Sequence, residues 1–281
     1  MKRILLILMS LLLCLQILPQ AQSDDASPEL SLLAINVRKA DALLLRSGNS
    51  AYLIDTGAKK ESETLLNVLR SEGISRLTGV ILTHTHADHT GGLKALVESE
   101  IEIENIYTSK YYVLKKENGK HPVDKAIKKT DYTVQYLAGG DTLPLDGGKL
   151  TVLGPIEMNE ELENNNSLVL LAEGGGGSIL LTGDMEFPEE ASLLNAGVIP
   201  QVDVIKIGNH GEEDATSTML ITTAQPKVAV ISTNSDDEPD TPHRRVLQLL
   251  KQQNVQVLLT QDSVNGVLIT LKDGEILTEM K

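Results

Sequence analysis

Short apolar runs separated by polar and glycine punctuation fill the chain from residue 30 onward. Residues 32–37 and 42–45 have strand length, and Ser50–Ile54 (SAYLI) runs straight into Asp55-Thr56-Gly57, a strand ending in an acid and a glycine turn. Between 63 and 71, Leu65, Leu66, Val68 and Leu69 repeat at helical spacing, and Gly73 closes that helix. Residues 79–83 (GVILT) read as a short buried strand, and 93–98 begin another helix. The second half repeats the theme. Residues 149–153 form a strand ended by Gly154-Pro155, and 168–172 and 178–182 form a hairpin across the glycines 174–177. Strands at 202–207 and 227–232, a helix at 244–252, and strands at 255–259 and 266–271 complete the pattern. Strands and helices interleave in both halves, which predicts an α/β sandwich of two mixed sheets with outer helices. No linker-like tract interrupts it, so residues 24–281 are expected to form one domain.

The first residues follow a different pattern. Lys2 and Arg3 precede an apolar stretch from 4 to 18, and Ala21-Gln22-Ser23 offers small residues where a signal peptidase reads. Residues 1–23 are expected to be a secretory signal, cleaved near Ser23. The stretch is short for a spanning helix, and no second one follows, so the expected product is extracytoplasmic, without a membrane span and from a bacterium. Cys14, the only cysteine, falls inside the signal. The mature chain therefore lacks a disulfide framework and any thiolate metal site. The formal net charge of −14 argues against non-specific nucleic-acid binding by the bulk surface.

Against that background one stretch stands apart: LTHTHADHTGG, residues 82–92, carries His84, His86, Asp88 and His89 in a loop between a buried strand and a helix. With thiolate absent, imidazole and carboxylate are the ligands for zinc, manganese or iron. His84 and His86 are two residues apart and on an extended loop point the same way, so they can pinch one ion. Asp88 and His89 point differently, which suits a second. A two-ion site also needs a bridging acid and a further histidine, and Asp184 (in LLTGD) and His210 (in KIGNHG) stand at strand ends.

HTHADHTGG, IDTG, LLTGD and GNHG, in this order, resemble the metallo-β-lactamase superfamily. NVRKADA (36–42), NNNSLVL (164–170) and KIGNHGE (206–212) are similar to the hydrolase domain of ComEC-type DNA-uptake proteins and their stand-alone secreted relatives. The chain departs from that pattern. Asn36 replaces an Asp, Arg38-Lys39 replace Gly-Gln, Asn209 and Glu212 replace the first His and the Ser of HHGS, and a later GHP survives only as Thr241-Pro242-His243.

The resemblance implies a metallo-β-lactamase-like αββα sandwich and two divalent ions, Zn or Mn. His84 and His86 would hold the first ion, Asp88, His89 and His210 the second, and Asp184 would bridge. Asp55 would orient a ligand or touch the second ion; with Asp88 and Asp184 it makes up the catalytic carboxylates. The superfamily's usual extra His before TGD is absent, and Asn165, Asn166 or Ser167 occupies its stretch, among the candidate substrate-binding residues. Two ions 3.5–4 Å apart would lower the pKa of a bridging water and supply hydroxide (an order-of-magnitude spacing).

Substrate signals are fewer. Seven lysines, Lys110 and Lys115 among them, face two acids between 110 and 129, flanked by Tyr107, Tyr111, Tyr112, Tyr132 and Tyr136. Such a segment either rims the site for an anionic small-molecule or polymer substrate, or is a solvated helix that balances an acidic body. His121 reads as a surface residue and His243 as a helix-start cap or a visitor to the site. The expected activity is metal-dependent hydrolysis of phosphodiesters. Hydrolysis of a lactone, thioester or β-lactam, and a non-catalytic binding module, are the alternatives.

Overall fold

The computed structural model describes residues 28–112 and 121–281. The expected signal, residues 1–23, and Lys115 lie outside them. In chain order the strands are β1 (Leu30–Ile35), β2 (Leu43–Ser47), β3 (Ser50–Ile54), β4 (Arg76–Leu77), β5 (Gly79–Leu82), β6 (Glu102–Ile103), β7 (Ile106–Ser109), β8 (Val134–Leu137) and β9 (Thr142–Leu145). They continue as β10 (Gly148–Gly154), β11 (Val169–Gly174), β12 (Gly177–Leu181), β13 (Val204–Lys206), β14 (Val228–Ile231), β15 (Gln256–Leu259), β16 (Gly266–Lys272) and β17 (Glu275–Met280). The helices are α1 (Ser62–Ser71), α2 (Ala87–Thr90), α3 (Leu93–Val97), α4 (Pro122–Ile127), α5 (Phe187–Asn195), α6 (Thr218–Ala224) and α7 (Arg244–Gln252). Among the described residues no helix is long and apolar enough to cross a membrane.

Two mixed sheets carry the fold. One runs β17-β16-β1-β2-β3-β5-β7-β8 and the other β15-β14-β13-β12-β11-β10-β9. Each is antiparallel at one end and parallel at the other: β3, β5, β7 and β8 run parallel, as do β12, β13, β14 and β15.

The period-two alternation of the strands explains the layering. Leu30, Leu32 and Ala34 of β1 face the space between the sheets with Ile179 and Leu181 of β12 and Val228 and Val230 of β14. The intervening Leu33 and Ile35 face outward to Leu65 and Leu69 of α1 and Leu93 and Leu96 of α3. On the other sheet Leu180, Ala229 and Ile231 meet Leu193 of α5, Leu220 of α6 and Val246 and Leu250 of α7. Both faces of these strands are buried, as expected for sheets covered by helices. The result is the αββα sandwich, with apolar layers between the sheets and on both outer faces.

Two features differ from the pattern read along the chain. The stretch after β5 is not loop throughout, because Ala87–Thr90 close one helical turn, α2. Strands β7, β8, β9 and β17 and helices α5 and α6 add to the expected elements.

Candidate metal centre

Open α/β sheets place their chemistry beyond the carboxyl ends of parallel strands, and both sheets do so here. Asp55 follows β3, His84 follows β5, Asp184 follows β12, and His210 follows β13. Ser232, just past β14, contributes its carbonyl. Two close approaches lock the turns. Gly183 has φ +52°, and a Cβ there would lie 2.9 Å from the Ser167 Cβ. A Cβ on Gly92 would lie 2.2 Å from the Thr56 carbonyl oxygen, so the junction between α2 and α3 packs onto the turn after β3 only without a side chain.

Three imidazoles are anchored alike. His89 donates from Nδ1 to Asp55 Oδ2 at 2.7 Å, and His210 donates from Nδ1 to the Ser232 carbonyl at 2.9 Å. His84 Nδ1 lies 3.2 Å from Thr83 Oγ1 and 3.3 Å from Ser167 Oγ. The Thr83 hydroxyl donates to Asp55 at 2.7 Å, so toward His84 it accepts. Each Nδ1 therefore carries a proton held by the fold, and each Nε2 faces one shared space, the arrangement that orients metal-ligating histidines.

That space is rich in acid. Asp184 Oδ2 lies 3.0 Å from His89 Nε2, 3.5 Å from His210 Nε2 and 3.9 Å from His84 Nε2. Asp88 Oδ2 lies 3.4 Å from His210 Nε2 and 4.0 Å from His89 Nε2. Donor atoms of Asp88, His89, Asp184 and His210 all fall within 4.8 Å of one another. Buried Nε2 of His84, Nε2 of His210 and Oδ1 of Asp184 have no hydrogen-bond partner. Orphaned buried acceptors on nitrogen and carboxylate fit a divalent ion. His86 stands exposed at the rim, its ring centroid 4.7 Å from that of His84. His84, His86 and Asp184 could hold one ion, and Asp88, His89 and His210, sharing Asp184, a second.

The protonation balance fits the same reading. Burial, with the neighbouring His89, drives His84 well below the usual imidazole range, so it is a neutral ligand. Burial pulls His210 down, but the carboxylates of Asp184 and Asp88 facing its Nε2 outweigh it and lift the group to about 9. His89 is likewise raised by Asp184 and Asp55 against its burial. Without a metal, these protons do the work of a cation. The His210 proton stabilises the metal-free fold fully below its unfolded pKa of about 6.5, and that contribution is lost as pH rises through about 9. Metal must displace it. Apparent metal affinity is therefore expected to rise between pH 7 and 9, with proton release that calorimetry in buffers of different ionisation enthalpy would measure.

Asp55, expected to orient a ligand or touch the second ion, is wholly buried and spends its oxygens on Thr83 N, Thr83 Oγ1 and His89 Nδ1. It positions His89 and does not reach the shared space. Asn165 donates to Glu186 and accepts from the Glu189 amide, and Asn166 holds the 159–162 turn. Ser167 contacts His84 and accepts from the Asp184 amide at 3.1 Å. All three are buried, and Asn165 also lines a small cleft with Asn159, Pro188 and Glu189. Lys110 sits over the Tyr111 ring at 5.0 Å. His121 is buried against Tyr112, with ring centroids 3.3 Å apart, so it is not a surface residue. His243 caps α7, its ring nitrogen accepting from the Arg245 amide. Asn209 donates to Glu186 and Asp214.

The sequence reading passes over two residues. Lys206 is wholly buried, donates to the Gly183 carbonyl at 2.9 Å, pairs with the equally buried Asp41, and lies 3.6 Å from Asp184 Oδ1. Burial lowers its pKa, but Asp41 and Asp184 more than restore it, so it stays charged. Asn209 and His210 both have left-handed backbones (φ 44° and 53°), a strained pair that turns the His210 ring into the site.

The Metallo-beta-lactamase superfamily model matches residues 35–235. ComE operon protein 3 of Bacillus subtilis is 32% identical over 201 residues, which are 72% of this chain and 26% of that protein. Recombination protein 2 of Haemophilus influenzae is 29% identical over 245 residues, 85% of this chain and 28% of its own length. The chain thus spans little more than a quarter of either relative. Among solved structures, the metallo-beta-lactamase fold protein YhfI of Bacillus subtilis superposes with a TM-score of 0.56 at 14% identity, over 86% of this chain and 99% of that one.

Proposed function

This chain belongs to the metallo-beta-lactamase superfamily, and from that membership we propose that it is a metal-dependent phosphodiesterase, with nucleic acid as its substrate class. The observation that carries the reading is the convergence of three fold-anchored Nε2 atoms on Asp184, with Asp88 beside two of them. The names of the curated relatives, which speak of recombination and competence, favour nucleic acid. We place the protein outside the cytoplasm after removal of residues 1–23, as a single domain over 24–281, with Zn or Mn as the ion.

Divalent ions bound at this centre would supply Lewis acidity and an activated water. The chain's own residues do the rest. Asp184 faces all three buried imidazoles and so fixes the spacing of the two ligand sets. Asp55 and the Ser232 carbonyl hold the rings still. Ser167 and Lys206 close the rear of the centre to water. Exposed His86 and the part-exposed Asp88 mark the open side, from which a substrate phosphate approaches.

Ligand supply is unequal between the two sets. One has four mutually close donors, whereas the other depends on exposed His86 and lacks a further histidine. Titration with Zn²⁺ is expected to show a tight step and a weaker one, and His86→Ala to remove only the weaker; mass spectrometry of the native protein would count the ions. The function itself is tested on protein stripped and refilled with Zn²⁺ or Mn²⁺, given a chromogenic phosphodiester and linear DNA, with Asp88→Ala as control. Turnover that disappears in the control is expected. Two bound ions with no turnover of either substrate would overturn the proposal.

A further inference from the structure

Three glutamates crowd the start of α5, and two of them are satisfied. Glu186 accepts from the Asn164 and Asn165 side-chain amides at 2.7 and 2.8 Å, and Glu190 accepts the backbone amides of Thr216 and Ser217. Glu189 differs from both. It is 4% exposed, and neither of its carboxyl oxygens has a hydrogen-bond partner. It lines a cleft of about 70 Å³ between α5 and residues 156–159, together with Glu157, Asn159, Asn165 and Ser192. None of the candidate metal ligands lines this cleft.

Protonation alone does not settle such a group. Burial, with Glu190 and Glu186 beside it, pushes Glu189 well above the usual carboxylate range. A neutral carboxyl still carries a donor and an acceptor, and burying them unpaired costs free energy. The cleft has to supply the partner. Among the described residues no lysine, arginine or histidine lines it, so the positive charge that would balance two glutamates does not come from the chain. One water takes on the order of 10–15 Å³ of such a volume, so the space admits a small ion with a few waters. Its polar lining offers carboxylate, amide and hydroxyl oxygens without an imidazole, which suits a hard cation such as Ca²⁺ and not Zn²⁺.

We propose that Glu189 anchors a site for a hard divalent cation, separate from the metal centre, that fastens residues 156–159 to α5. The surroundings of the cleft are already fixed. Asn165 accepts the Glu189 amide at 3.1 Å and donates to Glu186, while Asn166 accepts from the Asn159 amide and donates to its carbonyl, both at 2.8 Å. The site does not depend on which reaction the metal centre performs.

The test uses zinc-loaded protein, dialysed free of excess ion and titrated with CaCl₂. Bound Ca²⁺ is counted by equilibrium dialysis, and thermal unfolding is followed in parallel. One Ca²⁺ per chain is expected beyond the zinc, with Tm rising and half-saturation between about 0.1 and 1 mM, the range of extracellular calcium modules. Glu189→Gln keeps the shape, removes the charge and is expected to weaken Ca²⁺ binding at least about tenfold. Ser192→Lys places an ammonium at the cleft with Glu189 intact, and is expected to abolish the calcium response even if the glutamine variant folds poorly. Asp88→Ala is expected to retain the response, because the metal centre takes no part in it. No Ca²⁺ bound beyond the zinc, a Tm rise reproduced by NaCl at matched ionic strength, or a response kept in both Glu189→Gln and Ser192→Lys would overturn the proposal.

Discussion

Asp184→Asn is expected to reduce turnover about a thousandfold and to remove at least one bound ion. Among the described residues the carboxylate is the one acid in contact range of all three buried imidazoles, so it can belong to both ligand sets. Its neighbours hold it well below the usual carboxylate range: burial opposes ionisation, but His89 and His210 outweigh it. An amide keeps the shape and loses the charge. Losing roughly 4 kcal/mol of charge stabilisation at the reacting group corresponds to that rate factor. Steady-state kinetics with ion counting on the same sample would measure both effects. Full activity at two ions per chain would remove Asp184 from its bridging role.

The second large effect concerns stability. Lys206→Met is expected to destabilise the fold by about 3–5 kcal/mol, because it leaves Asp41 buried and uncompensated. Both members of the pair are 0% exposed, so water cannot replace the lost ammonium. Asp41→Asn/Lys206→Met removes both charges and is expected to recover most of the loss, since replacing a whole buried pair costs far less than breaking it. Urea unfolding of the two variants gives the comparison. A single variant as stable as the parent would show that Asp41 finds another partner or takes up a proton.

The metal loop is legible along the chain because its chemistry is local: His84, His86, Asp88 and His89 sit within six residues and directly follow a buried strand. Asp184 and His210 can be found at the ends of apolar runs, where α/β folds put function. Lys206 reads as an ordinary polar residue ending a strand, and its partner is Asp41, far away in sequence. Only the pairing of the two sheets brings them together, so no local periodicity reveals them. A lysine within the apolar run VDVIKI is the one available signal.

The same limit hides some elements. Helix α5 buries Glu189 and Glu190 with Leu193. Those glutamates break the apolar periodicity, although Glu190 accepts the amides of Thr216 and Ser217 and so satisfies the start of the next segment. Strand β17 is an edge strand with mostly exposed residues, and its EILTEM pattern lacks the apolar run that marks the buried strands. Asn165, Asn166 and Ser167 stand in the stretch where the superfamily often carries a histidine. Their burial, which depends on α5 and the 159–162 turn, cannot be read from position alone.

The candidate ligands of the centre come from both sheets: Asp88 and His89 from the first, Asp184 and His210 from the second. An ion held by all four is consequently a clasp across the sandwich, and it binds the closed fold but not a fold whose sheets have separated. By mass action, free ion at a hundred times its dissociation constant adds about 2.7 kcal/mol to the folded state. In the extracytoplasmic setting proposed above, ambient ion concentration would then set lifetime as well as catalytic rate: scarcity would open the sandwich to proteolysis, and abundance would keep it shut.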